Sequence, residues 1–200
     1  MTGRDVTGII LAGGMSRRMG QNKSLMLFRN KPLISYAIET LMPVCREVVI
    51  SANKPIYDFT RCAVWPDVVK VQAPIAGIYS CLNRSETEWN LFLSCDMPLV
   101  DTRLFELMLS NRSAADLVIP IHDGNCLEPL CGVYSNRVIP LLERHIRDHD
   151  YSLKHVIREA RTRFMEIGPE LDFYRANLFT NINTVEDFGL LDHPDRVPPP

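Results

Sequence analysis

The sequence predicts an α/β fold with a mostly parallel central sheet and helices on both of its faces. The first observation is that short apolar runs alternate with amphipathic runs along the chain, which is the pattern of repeated βαβ units. The second is a glycine-rich, basic loop directly after the first apolar run. The third is composition: 200 residues, 46% hydrophobic and 23% charged, are typical of one ordinary globular domain.

The predicted elements follow one another in the order that such a fold requires. Apolar runs predict strands at residues 8–11, 47–51, 62–65, 90–94 and 115–119. Amphipathic periodicity predicts helices at residues 33–41, 75–84, 102–110, 137–147, 153–160 and 185–191. Residues 126–135 and 164–167 are weaker strand candidates. The proline-rich residues 193–200 predict a disordered tail after a single domain spanning residues 1–192.

The loop after the first strand is the strongest functional signal. Residues 11–23, LAGGMSRRMGQNK, contain three glycines, two arginines and a lysine. Ligands of open α/β sheets bind at this carboxyl edge, where glycines let backbone N–H groups approach phosphate and cations supply counter-charge. The loop matches neither the dinucleotide fingerprint nor the P-loop. It predicts a nucleoside triphosphate ligand.

Charge and cysteine usage exclude several functional classes. The net charge is −2, but residues 1–31 carry +5 and the remainder −7. A local basic patch on an acidic chain suits a polyphosphate and not a long nucleic acid. The six cysteines show no zinc or redox spacing. With no signal-peptide pattern and no run of membrane-spanning length, we expect a cytoplasmic protein that binds neither membrane nor nucleic acid.

Two aspartates follow predicted strands and therefore point to the same sheet edge. Asp96 could hold Mg²⁺ together with substrate phosphates, or it could cap the helix that follows. Asp67 could accept hydrogen bonds from a nucleotide, or it could simply stabilise a turn. His145, His149 and His155 have helical spacing, but no further ligand stands beside them, so we expect them to face solvent.

The glycine-rich loop resembles the signature LAGGxSxRMGxxK of nucleotidyltransferases related to molybdenum cofactor guanylyltransferase. Other segments match that family in its order: APIAGI at residues 73–78, CDMP at 95–98, EPLCGVY at 128–134 and NINTVED at 181–187. The resemblance covers residues 8 to about 188. It implies a three-layer, Rossmann-like nucleotidyltransferase fold, with a nucleotide-binding half at about 1–100 and an acceptor-binding half at about 101–192.

The resemblance also implies a reaction, in which GMP passes from GTP to the terminal phosphate of molybdopterin and pyrophosphate leaves. Its catalytic residues would be Arg18, Lys23 and Asp96. Asp96 and Asn183 would hold Mg²⁺, or Mn²⁺ in its place. The implied nucleotide contacts are Leu11, Ala12, Gly13, Gly14, Arg18, Lys23, Ser51, Asp67, Gly77 and Asp96. The implied acceptor contacts are Pro129, Leu130, Tyr134 and Asn181, although Tyr134 could instead pack in the core, as aromatic residues in strands usually do. Transient contacts with molybdopterin-synthesis proteins or molybdoenzyme chaperones are a further expectation.

Three positions depart from the family pattern. Asn22 stands where many members have Asp, Ser51 where some have Asn, and Ala73 where Gly is usual. A cytidylyltransferase is the main alternative, although its members carry LAAG where this chain has LAGG. A sugar-1-phosphate nucleotidyltransferase and a nucleotide-binding protein without turnover are more distant alternatives.

Overall fold

An eight-stranded mixed sheet organises the chain. The computed structural model describes residues 5–13, 22–182 and 187. The strands are β1 (Val6–Leu11), β2 (Leu27–Phe28), β3 (Lys31–Pro32), β4 (Glu47–Ser51), β5 (Ala63–Trp65), β6 (Trp89–Ser94), β7 (Leu117–His122), β8 (Cys126–Leu127), β9 (Cys131–Ser135) and β10 (Thr162–Glu166). The helices are α1 (Leu33–Leu41), α2 (Pro74–Arg84), α3 (Thr102–Ser110), α4 (Ile139–Arg147) and α5 (Leu153–Glu159).

The main sheet has the strand order β10-β7-β9-β6-β1-β4-β5, with β8 pairing to β7, while β2 and β3 form a separate hairpin. Strand β1 pairs in parallel with β4 and β6, β4 with β5, and β7 with β10. Strand β9 runs antiparallel between β6 and β7. The carboxyl ends of β1, β4, β5, β6 and β7 therefore share one edge of the sheet. The predicted mostly parallel sheet is confirmed.

Helices cover both faces of the sheet, which makes three layers. On one face, α1 and α3 pack on alternate strand residues such as Ile10, Leu91 and Val133. On the other, α2, α4 and α5 pack on the intervening residues, among them Ile9 and Phe92. Neighbouring residues of a strand point to opposite faces, so each strand contributes to both halves of the core.

Most predicted elements are found within a few residues of their expected bounds. The candidate strand at residues 126–135 divides into β8 and β9, because Pro129 has no N–H and the Cys131 N–H bonds the Glu128 carbonyl to close a turn. The β2–β3 hairpin was not predicted, since two residues per strand show no periodicity. The predicted helix at 185–191 and the tail at 193–200 lie outside the described residues.

The prediction that the histidines face solvent is wrong for His145. Its ring is 4% exposed, with Nδ1 3.0 Å from Asp150 Oδ2 and Nε2 3.2 Å from Glu159 Oε1. The hydrogen bond to Asp150 compensates for burying one nitrogen of this ring, whereas Nε2 makes no hydrogen bond within the described residues. His149 and His155 are exposed, as predicted. Among the described residues, no helix is both long and apolar enough to cross a membrane.

Candidate functional site

A cleft of about 800 Å³ opens at the carboxyl edge of the sheet. This volume lies within the range of small-molecule sites. The described residues that line it include most of the predicted nucleotide contacts: Leu11, Ala12, Gly13, Lys23, Ser51, Asp67, Gly77 and Asp96. The structure therefore brings together side chains that are up to 85 residues apart in sequence, from Leu11 to Asp96.

A lysine and an aspartate form an ion pair in this cleft. Lys23 Nζ lies 2.5 Å from Asp96 Oδ2, and their side chains are 21% and 16% exposed. Asp96 follows the end of β6, and Lys23 lies on a single 3-10 turn, Lys23–Leu25. The buried oxygen Oδ1 of Asp96 has no hydrogen-bond partner among the described residues. A buried carboxylate oxygen without a partner is energetically costly, which indicates that it serves a ligand.

The donor set of the cleft fits Mg²⁺ bound mainly through substrate. Mg²⁺ in nucleotide sites is usually held by one or two carboxylates plus phosphate oxygens. Asp96 Oδ1 supplies one such oxygen. Within residues 5–13, 22–182 and 187, no group of three or more His, Cys, Asp or Glu side chains is arranged to hold a metal. Asp96 is therefore the residue among these that would hold such a cation.

Asn22 stabilises the turn that carries Lys23. Its Oδ1 accepts hydrogen bonds from Ser24 N (3.1 Å) and Ser24 Oγ (2.7 Å), and its Nδ2 donates to the Tyr57 hydroxyl (3.3 Å). The same hydroxyl lies 3.0 Å from Ser24 Oγ and donates to the Ala12 carbonyl at 3.5 Å. Asn22, which stands where many family members have Asp, thus accepts hydrogen bonds with its amide oxygen and donates one with its amide nitrogen. Sequence reasoning missed Tyr57, because a buried tyrosine looks like a core residue; burial raises its pKa.

The other two departures are also accommodated. Ala73 has φ −148° and ψ 156°, an extended conformation that any residue adopts, so replacing Gly causes no strain. Ser51 is 2% exposed and faces Gly77, where an added Cβ would lie 2.8 Å from Ser51 Oγ. Gly77 is therefore required by close packing of α2 against the end of β4. An added Cβ at Gly13 would make only ordinary contacts, the nearest being 3.5 Å from the Ser51 carbonyl oxygen.

Asp67 is held by a residue that the sequence did not single out. Asn53 Nδ2 donates to Asp67 Oδ2 (2.8 Å), and Asp67 N donates to Asn53 Oδ1 (2.9 Å). The pair joins the loop after β4 to the loop after β5. Both residues line the cleft, and Asp67 Oδ1 lies 3.6 Å from the Cβ position of Gly77. One oxygen is thus fixed by Asn53 while the other is directed towards the helix α2 side of the cleft.

Similarity to known proteins shows the family of this chain. Residues 8–164 match the family model described as the MobA-like NTP transferase domain. This chain belongs to the MobA-like NTP transferases. The chain is 30% identical over 187 residues to the probable molybdenum cofactor guanylyltransferase of Flavobacterium johnsoniae, covering 94% of this chain and 96% of that relative. It is 31% identical over 190 residues to the molybdenum cofactor guanylyltransferase of Vibrio parahaemolyticus, covering 92% and 95%.

A solved structure supports the same fold for this MobA-like transferase. The molybdopterin-guanine dinucleotide biosynthesis protein A of Archaeoglobus fulgidus superposes with a TM-score of 0.77 at 24% identity, over 92% of this chain and 95% of that one. The three-layer, Rossmann-like nucleotidyltransferase fold implied by the sequence resemblance is confirmed.

In this MobA-like transferase, two of the predicted acceptor contacts, Leu130 and Asn181, lie near Asp96. Leu130 lines the cleft, and its carbonyl accepts a hydrogen bond from Ser94 N (2.8 Å). Asn181 is exposed and directly precedes Ile182, whose N–H donates to the Asp96 carbonyl (2.8 Å). Both therefore lie beside the Asp96 segment.

The assignment of Tyr134 to the acceptor is wrong. Its side chain is 0% exposed and packs edge-on against Phe92, with ring centroids 5.0 Å apart. Its hydroxyl donates to the Pro129 carbonyl at 2.6 Å, which fixes the turn before β9. Tyr134 is a core residue because its single polar atom already has a partner there.

Three predicted site residues, Gly14, Arg18 and Asn183, lie outside the described residues. Their roles in binding the nucleotide, the leaving phosphates and the cation stay predictions from the family resemblance.

Proposed function

We propose that this chain transfers GMP from GTP to the terminal phosphate of molybdopterin, releasing pyrophosphate and forming the guanine dinucleotide form of the molybdenum cofactor. The observation that carries the proposal is the Lys23–Asp96 pair inside a nucleotide-sized cleft, where Asp96 Oδ1 has no hydrogen-bond partner within the described part of the chain. Relatives that match over more than nine-tenths of their length are named for this activity.

The chemistry needs positioning and charge neutralisation more than acid–base catalysis. An oxygen of the acceptor phosphate attacks the α-phosphorus of GTP, and the bond from that phosphorus to the β-phosphate oxygen breaks. The attacking phosphate is already ionised, so no general base is required. Cys95 lies next to Asp96, but burial raises the pKa of its thiol to about 12, which excludes a thiolate nucleophile at neutral pH.

The residues that the family resemblance implies would divide these tasks between them. Lys23 would neutralise charge on the departing pyrophosphate, a role that the resemblance also implies for Arg18 and the Gly13–Gly14 backbone. Asp96, together with Asn183, would hold Mg²⁺ or Mn²⁺, which both accept oxygen ligands. When bound, that cation would supply positive charge that offsets the negative charge of the phosphates.

The nucleoside would lie between α2 and the loops after β4 and β5. Asp67, held by Asn53, offers an acceptor oxygen there to the N–H edge of guanine or to the ribose hydroxyls. Ser51, Gly77, Leu11 and Ala12 would pack around the same group. Inosine triphosphate separates the two possibilities, because it lacks the guanine amino group but keeps the ribose.

We further propose a cytoplasmic location, supported by the free state of all six cysteines. Handing the product to molybdoenzyme chaperones, and contact with molybdopterin-synthesis proteins, belong to this proposal as well.

Pyrophosphate release from GTP, CTP, ATP and UTP, each with Mg²⁺ and molybdopterin, tests the function. We expect release with GTP alone. Release with CTP would instead establish a cytidylyltransferase. If GTP binds but no nucleotide releases pyrophosphate, the chain is a nucleotide-binding protein without this activity.

A further inference from the structure

A carboxylate and an imidazole form a mostly buried pair at the acceptor side of the sheet edge. His122 ends β7, and its Nε2 lies 3.1 Å from Glu128 Oε1. Its other nitrogen, Nδ1, lies 2.8 Å from Asp123 Oδ2. The side chains of His122 and Glu128 are 15% and 18% exposed, whereas that of Asp123 is 69% exposed. Glu128 is thus the inner carboxylate of the two.

Backbone hydrogen bonds place this pair close to Asp96. The Ser94 N–H bonds the Leu130 carbonyl, so the turn that begins at Glu128 is attached to the end of β6, two residues before Asp96. The Ile182 N–H bonds the Asp96 carbonyl on the other side. Burial, reinforced by the negative charge of Asp96, raises the pKa of Glu128. The two carboxylates therefore share one local environment.

The imidazole ring is held in place from three directions. Phe179 stacks on it, with ring centroids 4.5 Å apart and planes 19° from parallel. Glu128 and Asp123 occupy its two nitrogens, so His122 has no further donor or acceptor to offer a ligand. His122 can therefore orient Glu128 but cannot itself bind substrate. Glu128 keeps a second oxygen, Oε2, that no described hydrogen bond uses.

Fold stability alone does not account for the pair. Burying polar side chains costs desolvation that their mutual hydrogen bond barely offsets, so packed apolar residues would serve the fold equally well. Among the described residues, Glu128 has no cation of the kind that Lys23 supplies to Asp96, so its carboxylate would repel a phosphate. A neutral heterocycle with adjacent N–H donors is complementary to a carboxylate, which accepts at both oxygens.

We propose that Glu128, positioned by His122, binds the N–H edge of the pterin ring of the acceptor. This inference rests on the proposed function, which supplies the pterin. The acceptor would then lie with its phosphate towards Lys23 and Asp96 and its ring towards Glu128. Asp67 and Glu128 would play equivalent parts on the two sides of the reacting phosphates.

Steady-state kinetics of Glu128→Gln test the inference. The substitution keeps the volume but replaces one acceptor oxygen by a donor. We expect the KM for molybdopterin to rise about tenfold while the KM for GTP is unchanged. His122→Gln should raise the same KM by a smaller factor, because it only loosens Glu128. Glu143→Gln, an exposed position on α4, is the matched control and should change neither KM.

Binding of unsubstituted pterin, followed by quenching of its fluorescence, supplies a second measurement that does not need turnover. Glu128→Gln should weaken it by a similar factor, with thermal unfolding confirming that each variant is folded. If wild-type enzyme is active and Glu128→Gln leaves both pterin affinity and the molybdopterin KM unchanged, this inference is overturned and the proposed function stands. If wild-type enzyme transfers no GMP to molybdopterin, the proposed function fails and the inference fails with it.

Discussion

The proposed nucleotide side and the proposed acceptor side each contain a carboxylate held by a neighbouring side chain, but in different surroundings. On the nucleotide side, Asp67 is held by the neutral amide of Asn53 in loops that follow parallel strands. On the acceptor side, Glu128 is held by His122 beside the antiparallel strands β8 and β9. The sequence pattern predicts where Asp67 lies, because it follows a parallel strand. The position of Glu128 cannot be predicted in this way, because it depends on strands that run antiparallel to their neighbours. The Asp67 position thus follows from the regular parallel part of the sheet, whereas the Glu128 position follows from the antiparallel strands β8 and β9.

The largest expected effect on turnover is that of a substitution at Asp96, which pairs with Lys23. Asp96→Asn removes the negative charge that pairs with Lys23 and that would attract a cation. We expect turnover to fall at least about 100-fold, because charge stabilisation in the transition state is lost, while GTP still binds. Pyrophosphate release and calorimetric GTP binding measure the two quantities. Asp58→Asn, at a carboxylate on the turn after Tyr57, is the control. Loss of GTP binding together with turnover would place Asp96 in nucleotide recognition instead.

Asp67→Asn should affect the nucleotide side alone. Removing the charge weakens hydrogen bonds from the nucleoside, so the KM for GTP should rise about tenfold with the KM for molybdopterin unchanged. Glu128→Gln is expected to have the opposite pattern, with only the KM for molybdopterin raised. If guanine is the donor, wild-type enzyme should discriminate against inosine triphosphate and Asp67→Asn should not. Equal changes in both KM values would show that the two sides are not independent.

Tyr57→Phe should act on the position of Lys23 without touching substrate. It removes the hydroxyl that links Asn22, Ser24 and the Ala12 carbonyl but keeps the buried ring. We expect kcat to fall about five- to tenfold, with a smaller change in the KM for GTP, because the lysine is less well placed. Tyr79→Phe, on helix α2, is the matched control. An unchanged kcat would show that the turn holds Lys23 without this hydroxyl.

The smallest effect on activity is expected at a carboxylate outside the cleft. Asp116 precedes β7 at the opposite edge of the sheet, where hydrogen bonds from Arg161 hold its pKa below the ordinary value of 3.8. A lowered pKa stabilises the fold above that value, and the contribution disappears as the pH falls through the folded-state pKa. Asp116→Asn should therefore lower the free energy of unfolding at pH 7, with normal kinetics, and the difference should shrink in acid. A difference that persists unchanged at low pH would contradict this.

The sequence predicted the cleft residues that lie just after a strand. It did not predict the residues whose position depends on a tertiary contact. Asp96 and Asp67 were found because each comes directly after an apolar run at the same sheet edge. Asn53 and Tyr57 were missed, since their roles depend on hydrogen bonds to residues 14 and 35 positions away.

The predictions for Tyr134 and His145 show the same limit from the other direction. The motif implied an acceptor role for Tyr134, with a core position as the alternative, and the structure places its ring in the core. His145 was expected on the solvent face of α4, but α5 and the loop before it bring Glu159 and Asp150 to its ring. Local periodicity does not reveal which neighbouring element covers a side chain.

The most direct test of the account follows the phosphates of GTP. GTP labelled at the α-phosphate and, in a parallel reaction, at the γ-phosphate would be incubated with the protein, Mg²⁺ and molybdopterin. The account predicts that the α-label appears in the dinucleotide product and the γ-label only in pyrophosphate. A γ-label in the product, or no label transferred while GTP is bound, would contradict it.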